Sequence, residues 1–253
     1  MASHDTGPGS LLEARVADAV RLARNGGRPR FVGFLDECGA KQAETLLGRG
    51  EREHVMFWGG FPEAERVVMG AFPDFYTPEP DSFPVAGLTA SFRCQDRLTH
   101  RDFLGALLHA GIERSSLGDI LVEEGCAVVF CRTEIAQFLC TQVKKVGGVG
   151  VRIALGFSEP LPAAHRFADF SAVVASARLD CLVAAAVKTS REKAAGLVRS
   201  QMVQLNHEPA ISPSAEVREG DILSVRGEGR FAIDRLGPPT KKGRLSVAGR
   251  KYI

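Results

Sequence analysis

The residues of this chain best suited to bind another molecule are the cations of its C-terminal third. Residues 171–253 contain 14 Lys and Arg against 8 Asp and Glu, whereas residues 1–170 contain 18 against 22. Ser190 and Arg191 begin a predicted helix, where free backbone N–H groups and a guanidinium suit a phosphate. The uneven charge indicates one surface for an anionic polymer.

The side chains that commonly carry catalysis or hold metals show no such pattern. The six cysteines form no C-x-x-C pair, and neither they nor the six histidines have zinc-ligand spacing. The glycine-rich segment 147–150 follows a predicted helix rather than a strand, which favours a helix end and turn over a nucleotide-binding loop. We therefore predict no catalytic residue, no metal and no cofactor, with the cysteines as small buried residues in a reducing compartment.

Two stretches of loop-like composition divide the 253 residues into three predicted domains. Residues 72–87 contain four prolines and residues 156–170 contain two. No apolar run approaches the ~20 residues that span a bilayer, so we expect no membrane insertion. The first ten residues lack the features of a secretory signal, so we expect a cytoplasmic protein, and nothing in the sequence suggests an obligate dimer, so we expect a monomer. The predicted domains are residues 1–75, 76–168 and 169–253.

The first domain is predicted to be mostly helical. Helix-forming residues and apolar spacing predict helices over residues 10–24, 38–49 and 63–72. Residues 57–60 are predicted as a short strand and turn.

The second domain has the predicted order strand, helix, strand, strand, helix, strand. Its second helix is expected over residues 134–148. This order is that of ferredoxin-like folds, which include the common RNA-recognition module. Phe92 and Phe130 are the only aromatic residues of its strands, so direct RNA contact and a role as a spacer or protein-contact domain both remain open.

The third domain is predicted as two short helices followed by β-hairpins, which makes the chain α+β overall. The first helix covers residues 176–187. The second starts at Thr189, which forms a predicted capping box with Glu192. Arg191 lies on the apolar arc of that helix, so we expect it to leave past the helix end towards the preceding helix.

Four motifs of the third domain resemble the RNA-binding domain first seen in small-subunit ribosomal protein four. They are R-L-D (178–180), T-S-R-x-x-A (189–194), L-V-x-x-x-x-V-x-L-N (197–206) and G-D-x-L-S-V-R-G-x-G-R (220–230). The resemblance implies that the helices and the next hairpin form one basic surface on structured RNA. The implied RNA-binding residues are Arg178, Ser190, Arg191, Lys193, Arg199, Asn206, Arg226 and Arg230, with Lys241, Lys242 and Arg244 added from the last hairpin.

Two residues bear on how far this resemblance extends. Gln201 stands where that family usually has glycine, and it would cost stability if its φ is positive. Asp180 lies in an R-L-D triplet like the one at the catalytic aspartate of pseudouridine synthases, many of which carry the same domain. Because this triplet opens a short helix, we predict instead that Asp180 pairs with a nearby arginine.

Three further motifs make most of the chain resemble the YlmH family of bacterial RNA-binding proteins. They are F-x-G-F-L-D (31–36), W-G-G-F-P-E-A-E-R (58–66) and E-R-S-S-L-G-D-I-L-V (113–122). Arg66, within the second, is expected to be a structural ion-pair partner. The resemblance implies a ribosome-associated protein of the large subunit, with a role in the rescue of stalled translation.

Together these observations predict a non-enzymatic protein that binds structured ribosomal RNA or tRNA. One alternative is an RNA-modifying enzyme that uses the third domain to grip its substrate. Another is an RNA-binding scaffold for cell-division or membrane proteins. The sequence suggests Arg191→Glu as a test, with loss of RNA binding and unchanged folding as the expected result.

Overall fold

The computed structural model describes residues 8–163, 167–239 and 243–252. The chain divides into two compact units, residues 1–164 and 165–253. The first unit therefore holds both of the segments predicted as separate domains before residue 169. Within the described ranges, no helix has the length and apolar character needed to cross a membrane.

The first part of unit one is a three-stranded antiparallel sheet with two helices on one side. The strands are in the order β1-β3-β2, so β3 is central. Met69 and Ala71 of this strand pack with buried residues of both helices. The elements are α1 (Pro8–Gly26), β1 (Arg30–Leu35), α2 (Glu37–Leu46), β2 (Val55–Trp58) and β3 (Val67–Ala71), with a 3-10 turn at Arg52–His54.

The helix predicted over residues 63–72 is wrong, because its second half is strand β3. Both faces of this strand are covered: Met69 faces the helices, while Val68 packs with Phe34 and Phe83 on the other side. A strand buried on both faces is a continuous apolar run without alternation. Such a run cannot be told from a buried helix by its periodicity.

The second part of unit one is a four-stranded antiparallel sheet in the order β5-β6-β4-β9. Its order of strands and crossing helices agrees with the predicted order. Phe103 and Leu107 of α3, and Leu139 of α4, pack in the buried core of this sheet. The elements are β4 (Val85–Ser91), α3 (His100–His109), β5 (Leu117–Glu123), β6 (Cys126–Arg132), α4 (Thr133–Gln142) and β9 (Arg152–Leu155), with 3-10 turns at Pro80–Ser82 and Arg114–Ser116.

The helix predicted over residues 134–148 ends early, at Gln142. The chain then forms a small hairpin of β7 (Lys145–Val146) and β8 (Val149–Gly150). Gly147 and Gly148 have φ values of 53° and 84°. A two-residue hairpin turn needs such positive φ angles, so these glycines form a hairpin turn and not a helix end.

Unit two packs two helices against a six-stranded antiparallel sheet in the order β10-β15-β14-β13-β11-β12. Leu179, Leu182 and Val198 of the helices are fully buried with Leu223 and Phe231 of the sheet. The elements are β10 (Phe167–Val174), α5 (Leu179–Ala186), α6 (Arg191–Arg199), β11 (Val203–Leu205), β12 (Glu208–Pro209), β13 (Ile222–Val225), β14 (Gly229–Pro239) and β15 (Leu245–Tyr252).

The start of α6 differs by one residue from the predicted capping box. Ser190, not Thr189, is the N-cap, and its Oγ accepts a hydrogen bond of 3.2 Å from the Lys193 backbone N–H. An oxygen at this position satisfies one of the backbone N–H groups left free at a helix start.

Candidate nucleic-acid interface

A buried carboxylate at the start of α5 holds two arginines at the surface of unit two. Asp180 is 4% exposed. Arg178 donates to both of its oxygens, from Nε to Oδ1 at 3.1 Å and from Nη2 to Oδ2 at 3.0 Å. Arg191 of α6 donates from Nε to Oδ2 at 3.0 Å. The predicted pairing of Asp180 and the predicted direction of Arg191 are both confirmed. We call these three residues the arginine fork.

The electrostatics of the fork keep Asp180 ionised. Burial acts to raise the pKa of Asp180, but the hydrogen bonds from Arg178 and Arg191 outweigh it and lower the pKa to about 2. The carboxylate uses three N–H donors of the two guanidinium groups. The side chains of Arg178 and Arg191 remain 42% and 53% exposed, so their other donors can reach a phosphate.

Helix α6 extends the cationic surface beyond the fork. Lys193 and Arg199 are exposed, the first in the first turn and the second at the last residue of the helix. A nine-residue helix is about 12 Å long between its first and last residues. Ser190, the N-cap, lies beside the fork because Arg191 follows it directly. The helix therefore presents cations along its length.

Asn206 has a structural role that its sequence motif does not show. Its side-chain Nδ2 donates to Asp221 Oδ1 at 2.8 Å, and its Oδ1 accepts from the Ile222 backbone N–H at 2.9 Å. These bonds tie the turn after β11 to the start of β13, with Asn206 at a φ of 52°. The Asn206 side-chain amide is therefore already engaged in this turn through both its nitrogen and its oxygen, and an RNA contact would have to use the amide's remaining bonding capacity.

The remaining candidates lie on or near the hairpins of the sheet. Arg226 is exposed in the turn after β13, and its backbone N–H donates to Met202 O at 2.9 Å, which places it near the end of α6. Arg230 is the second residue of β14, and its guanidinium lies 4.9 Å from the Tyr252 ring centroid. Arg244 is exposed just before β15. Lys241 and Lys242 lie outside the described residues.

Arg66 has a different kind of environment, inside unit one. Its guanidinium donates to the carbonyls of Phe34 at 3.0 Å, Leu117 at 3.0 Å and Arg114 at 3.1 Å. Burial, and secondarily the Arg114 charge, lower the pKa of Arg66 to about 10, so it stays cationic at neutral pH. Its structural role agrees with the expectation, but its bonded acceptors are carbonyl oxygens rather than a carboxylate.

The three motifs that carry the YlmH resemblance meet at Arg66. Phe34 comes from the first motif, Arg66 from the second, and Arg114 and Leu117 from the third. Asp119 of the third motif accepts the backbone N–H groups of Glu65 at 2.7 Å and Arg66 at 3.4 Å. These motifs therefore join the two sheets of unit one, and sequence spacing alone does not reveal this.

The sheet face used by RNA-recognition modules is covered in this protein. Phe130, on β6, is fully buried and stacks on Phe61 with ring centroids 4.9 Å apart. Phe157 packs edge-on against Phe130 at 5.2 Å and lies over Gly87, where a Cβ would collide with its ring. Phe92 packs instead against Phe103 of α3. Because Phe61 and Phe157 cover the Phe130 ring, a nucleobase cannot stack on it in this structure.

Across residues 8–163, 167–239 and 243–252, no three His, Cys, Asp or Glu side chains are grouped so that they could hold a metal ion.

Comparison with known proteins gives the class of this protein first. Residues 89–156 match the family described as "Putative RNA-binding domain in YlmH". This range runs from within β4 to just past the end of β9, so the four-stranded sheet of unit one resembles the RNA-binding domain of YlmH.

The relatives extend the likeness over most of the chain. It is 29% identical over 231 residues to "Ribosome-associated protein quality control protein P2" of Bacillus subtilis, covering 90% of this chain and 89% of that protein. The solved structure "Cell division protein ylmH from Streptococcus pneumoniae" has a TM-score of 0.52 at 22% identity, covering 64% of this chain and 99% of that one. The resemblance to the YlmH family predicted from the motifs is confirmed.

Proposed function

We propose that this protein is a ribosome-associated RNA-binding factor that grips structured RNA with unit two. The observation that carries the proposal is the arginine fork, in which buried Asp180 fixes Arg178 and Arg191 with donors left towards solvent. Side chains held in place in this way lose little conformational freedom on binding. Contacts to phosphates and to RNA shape, rather than base sequence, suit such a surface.

The finer assignments belong to the same proposal. The motifs of unit two support a domain of the ribosomal-protein-S-four type, and the strand order β5-β6-β4-β9 supports a ferredoxin-like middle domain. The name of the Bacillus subtilis relative supports ribosome association and a role in translation quality control. The large subunit with its tRNA is the proposed partner, in the cytoplasm, and the protein acts without catalysing a reaction.

The first test is sedimentation of the purified full chain with bacterial ribosomes through sucrose gradients at low and high salt. We expect co-migration with large subunits at low salt and its loss at high salt. Each phosphate that the protein neutralises steepens the fall of log K with log salt concentration by about one. Migration at the top of the gradient under both conditions would overturn the proposal.

Neutral substitutions on α6 then locate the contact. Lys193→Gln with Arg199→Gln should weaken binding to bulk bacterial tRNA by at least about tenfold and lower the salt slope by about 2. The control is Arg218→Gln with Arg235→Gln, which removes the same charge from exposed positions. These positions lie near one end of the β13–β14 pair, whereas Arg226, close to the end of α6, lies at the other end. Equal weakening by both pairs would contradict a site on α6.

The substitution Arg191→Glu suggested by the sequence is not a clean test. It would place a second carboxylate beside buried Asp180 and remove one of its hydrogen-bond donors. Like charges at this distance destabilise the folded state. A loss of RNA binding in that variant would therefore mix a lost contact with a disturbed fold.

The two rival functions make different predictions. A scaffold for division proteins agrees with the name of the Streptococcus pneumoniae structure and predicts a location at the septum rather than on ribosomes. An RNA-modifying enzyme predicts altered nucleosides in RNA incubated with the protein. Asp180, the residue most like a catalytic aspartate, already accepts from two arginines.

A further inference from the structure

The YlmH-type domain carries a second cationic surface, at the end of its sheet where β9 begins. The β7–β8 hairpin lies against the start of α3, since a Cβ on Gly147 would come within 3.3 Å of both Leu98 and Asp102. Lys145 pairs with Gly150 across this hairpin, and β9 begins two residues later. The cations at this end, which we call the hairpin patch, are Arg97, Arg101, Lys144, Lys145 and Arg152, and all are exposed.

Charge composition does not reveal this patch. Residues 89–156 contain eight Lys and Arg against seven Asp and Glu, so the domain is nearly neutral. Folding separates these charges: three of the eight cations are occupied elsewhere. Arg93 binds Asp96 through two hydrogen bonds of 2.8 and 3.1 Å, and Arg132 lies 3.5 Å from Glu134. Arg114 donates to the carbonyls of Leu117 and Gly118 in a part-buried position. The other five cations form the hairpin patch, in which Lys144 Nζ also donates to the Cys140 carbonyl oxygen at 3.0 Å while its side chain stays exposed.

The acidic residues near the patch do little to cancel it. Asp102 lies beside the hairpin, and its Oδ2 accepts from the Thr99 backbone N–H at 2.8 Å and hydroxyl at 2.6 Å. Glu123 and Glu124 lie at the β5–β6 turn, at the same end of the sheet as Arg152, and β5 and β6 are three and two strands away from β9. Two to three strand spacings are about 10–14 Å, beyond the Debye length of about 8 Å at physiological salt.

We propose that the hairpin patch is a second RNA-binding site, which takes the phosphate backbone of the RNA held by unit two. This inference rests on the proposed function. Since Phe130 is covered, nucleobases cannot stack on it, and the hairpin patch consists of cations, for which phosphate contact is the expected mode. Two cationic sites on one chain raise the affinity for one RNA through effective concentration.

The test measures the affinity of the full chain for labelled bulk bacterial tRNA at several salt concentrations between about 50 and 200 mM. Arg97→Glu, Arg101→Glu and Lys145→Glu are combined, because each side chain is exposed and outside the cores. The control combines Arg15→Glu, Arg28→Glu and Arg49→Glu, which makes the same charge change at exposed positions of the α1–α2 region. A Gln version of the first variant separates lost contacts from repulsion, and thermal unfolding checks both folds.

We expect the hairpin-patch variant to bind at least about tenfold more weakly with a salt slope lower by about 2 or 3, and the control to stay within about threefold. Unchanged affinity in the patch variant, with loss in the α6 variant, overturns the second site alone. Absence of RNA binding by the unaltered protein overturns the proposed function and this site with it. Patch-dependent binding of polyglutamate but not of tRNA assigns the patch to an acidic protein and also overturns the inference.

Discussion

Arginines of the two units are held by different acceptors, and the acceptor decides what each can do. Arg66 in unit one spends its donors on three backbone carbonyls from distant segments. Arg178 and Arg191 in unit two share one buried carboxylate and keep donors for solvent. The three carbonyls enclose the Arg66 guanidinium within the fold. Asp180 instead bonds one side of the Arg178 and Arg191 guanidinium groups and leaves their other N–H donors exposed to solvent.

The comparison shows why a motif arginine is not by itself evidence of RNA contact. Arg66 belongs to one of the motifs by which this chain resembles an RNA-binding family, but its side chain joins two sheets. Because backbone carbonyls enclose the Arg66 guanidinium, substitution of Arg66 should lower folding stability more than it lowers RNA affinity. The fork arginines should affect binding first, provided that Asp180 stays in place.

The largest effect is expected from Arg66→Met, which keeps the length of the side chain and removes its donors. The three carbonyls would lose a charged donor, and we expect the free energy of unfolding to fall by about 3 kcal/mol. Urea unfolding of the full chain measures this. The control is Arg52→Met, whose bonds to the carbonyls of Leu47 and Glu44 are longer, at 3.4 Å each, and should cost under about 1 kcal/mol. Equal costs would refute the role assigned to Arg66.

Asp180→Asn should have the next largest effect, on stability and on binding together. Asp180 has a lowered pKa of about 2 in the fold, against 3.8 as its ordinary value. This difference corresponds to roughly 2 kcal/mol of stability at neutral pH. Because the folded pKa is the lower one, the contribution is present above about pH 4 and disappears as the pH falls through 2.

The measurement compares urea unfolding of the wild type and Asp180→Asn at several pH values. The difference between them should be constant above pH ~5 and shrink towards pH ~2. Asp234→Asn is the matched control, since Asp234 also accepts two hydrogen bonds from one arginine, Arg250, but at the exposed surface. An exposed pair contributes about 0–1 kcal/mol. A cost for Asp180→Asn no greater than that of the control would remove the basis for a fixed fork.

The features that could be predicted from the sequence are those fixed by residues close together along the chain. Local spacing carries the helices α5 and α6, the order of strands and helices along the chain in the second part of unit one, and the direction of Arg191, and the sequence predicts them. Strand β3 was missed because an apolar run fits a buried helix as well as a strand covered on both faces. The acceptors of Arg66 lie 32 to 51 residues away along the chain, and no local pattern specifies them. The hairpin patch was missed for the same reason, since its cations are brought together only by the fold.

Gln201→Gly should have the smallest effect and the opposite sign. Gln201 has a φ of 56°, so the condition under which the sequence analysis expected it to cost stability is met. A residue with a Cβ in this conformation costs about 1 kcal/mol relative to glycine, and part of that gain is lost to the greater freedom of glycine in the unfolded chain. We expect the free energy of unfolding to rise by about 0.5–1 kcal/mol, measured by urea, with tRNA affinity unchanged. The control is Gln204→Gly, in strand β11, where glycine should destabilise. If Gln201→Gly lowers the free energy of unfolding or alters tRNA affinity, then the Gln201 side chain makes a contact that outweighs its backbone strain.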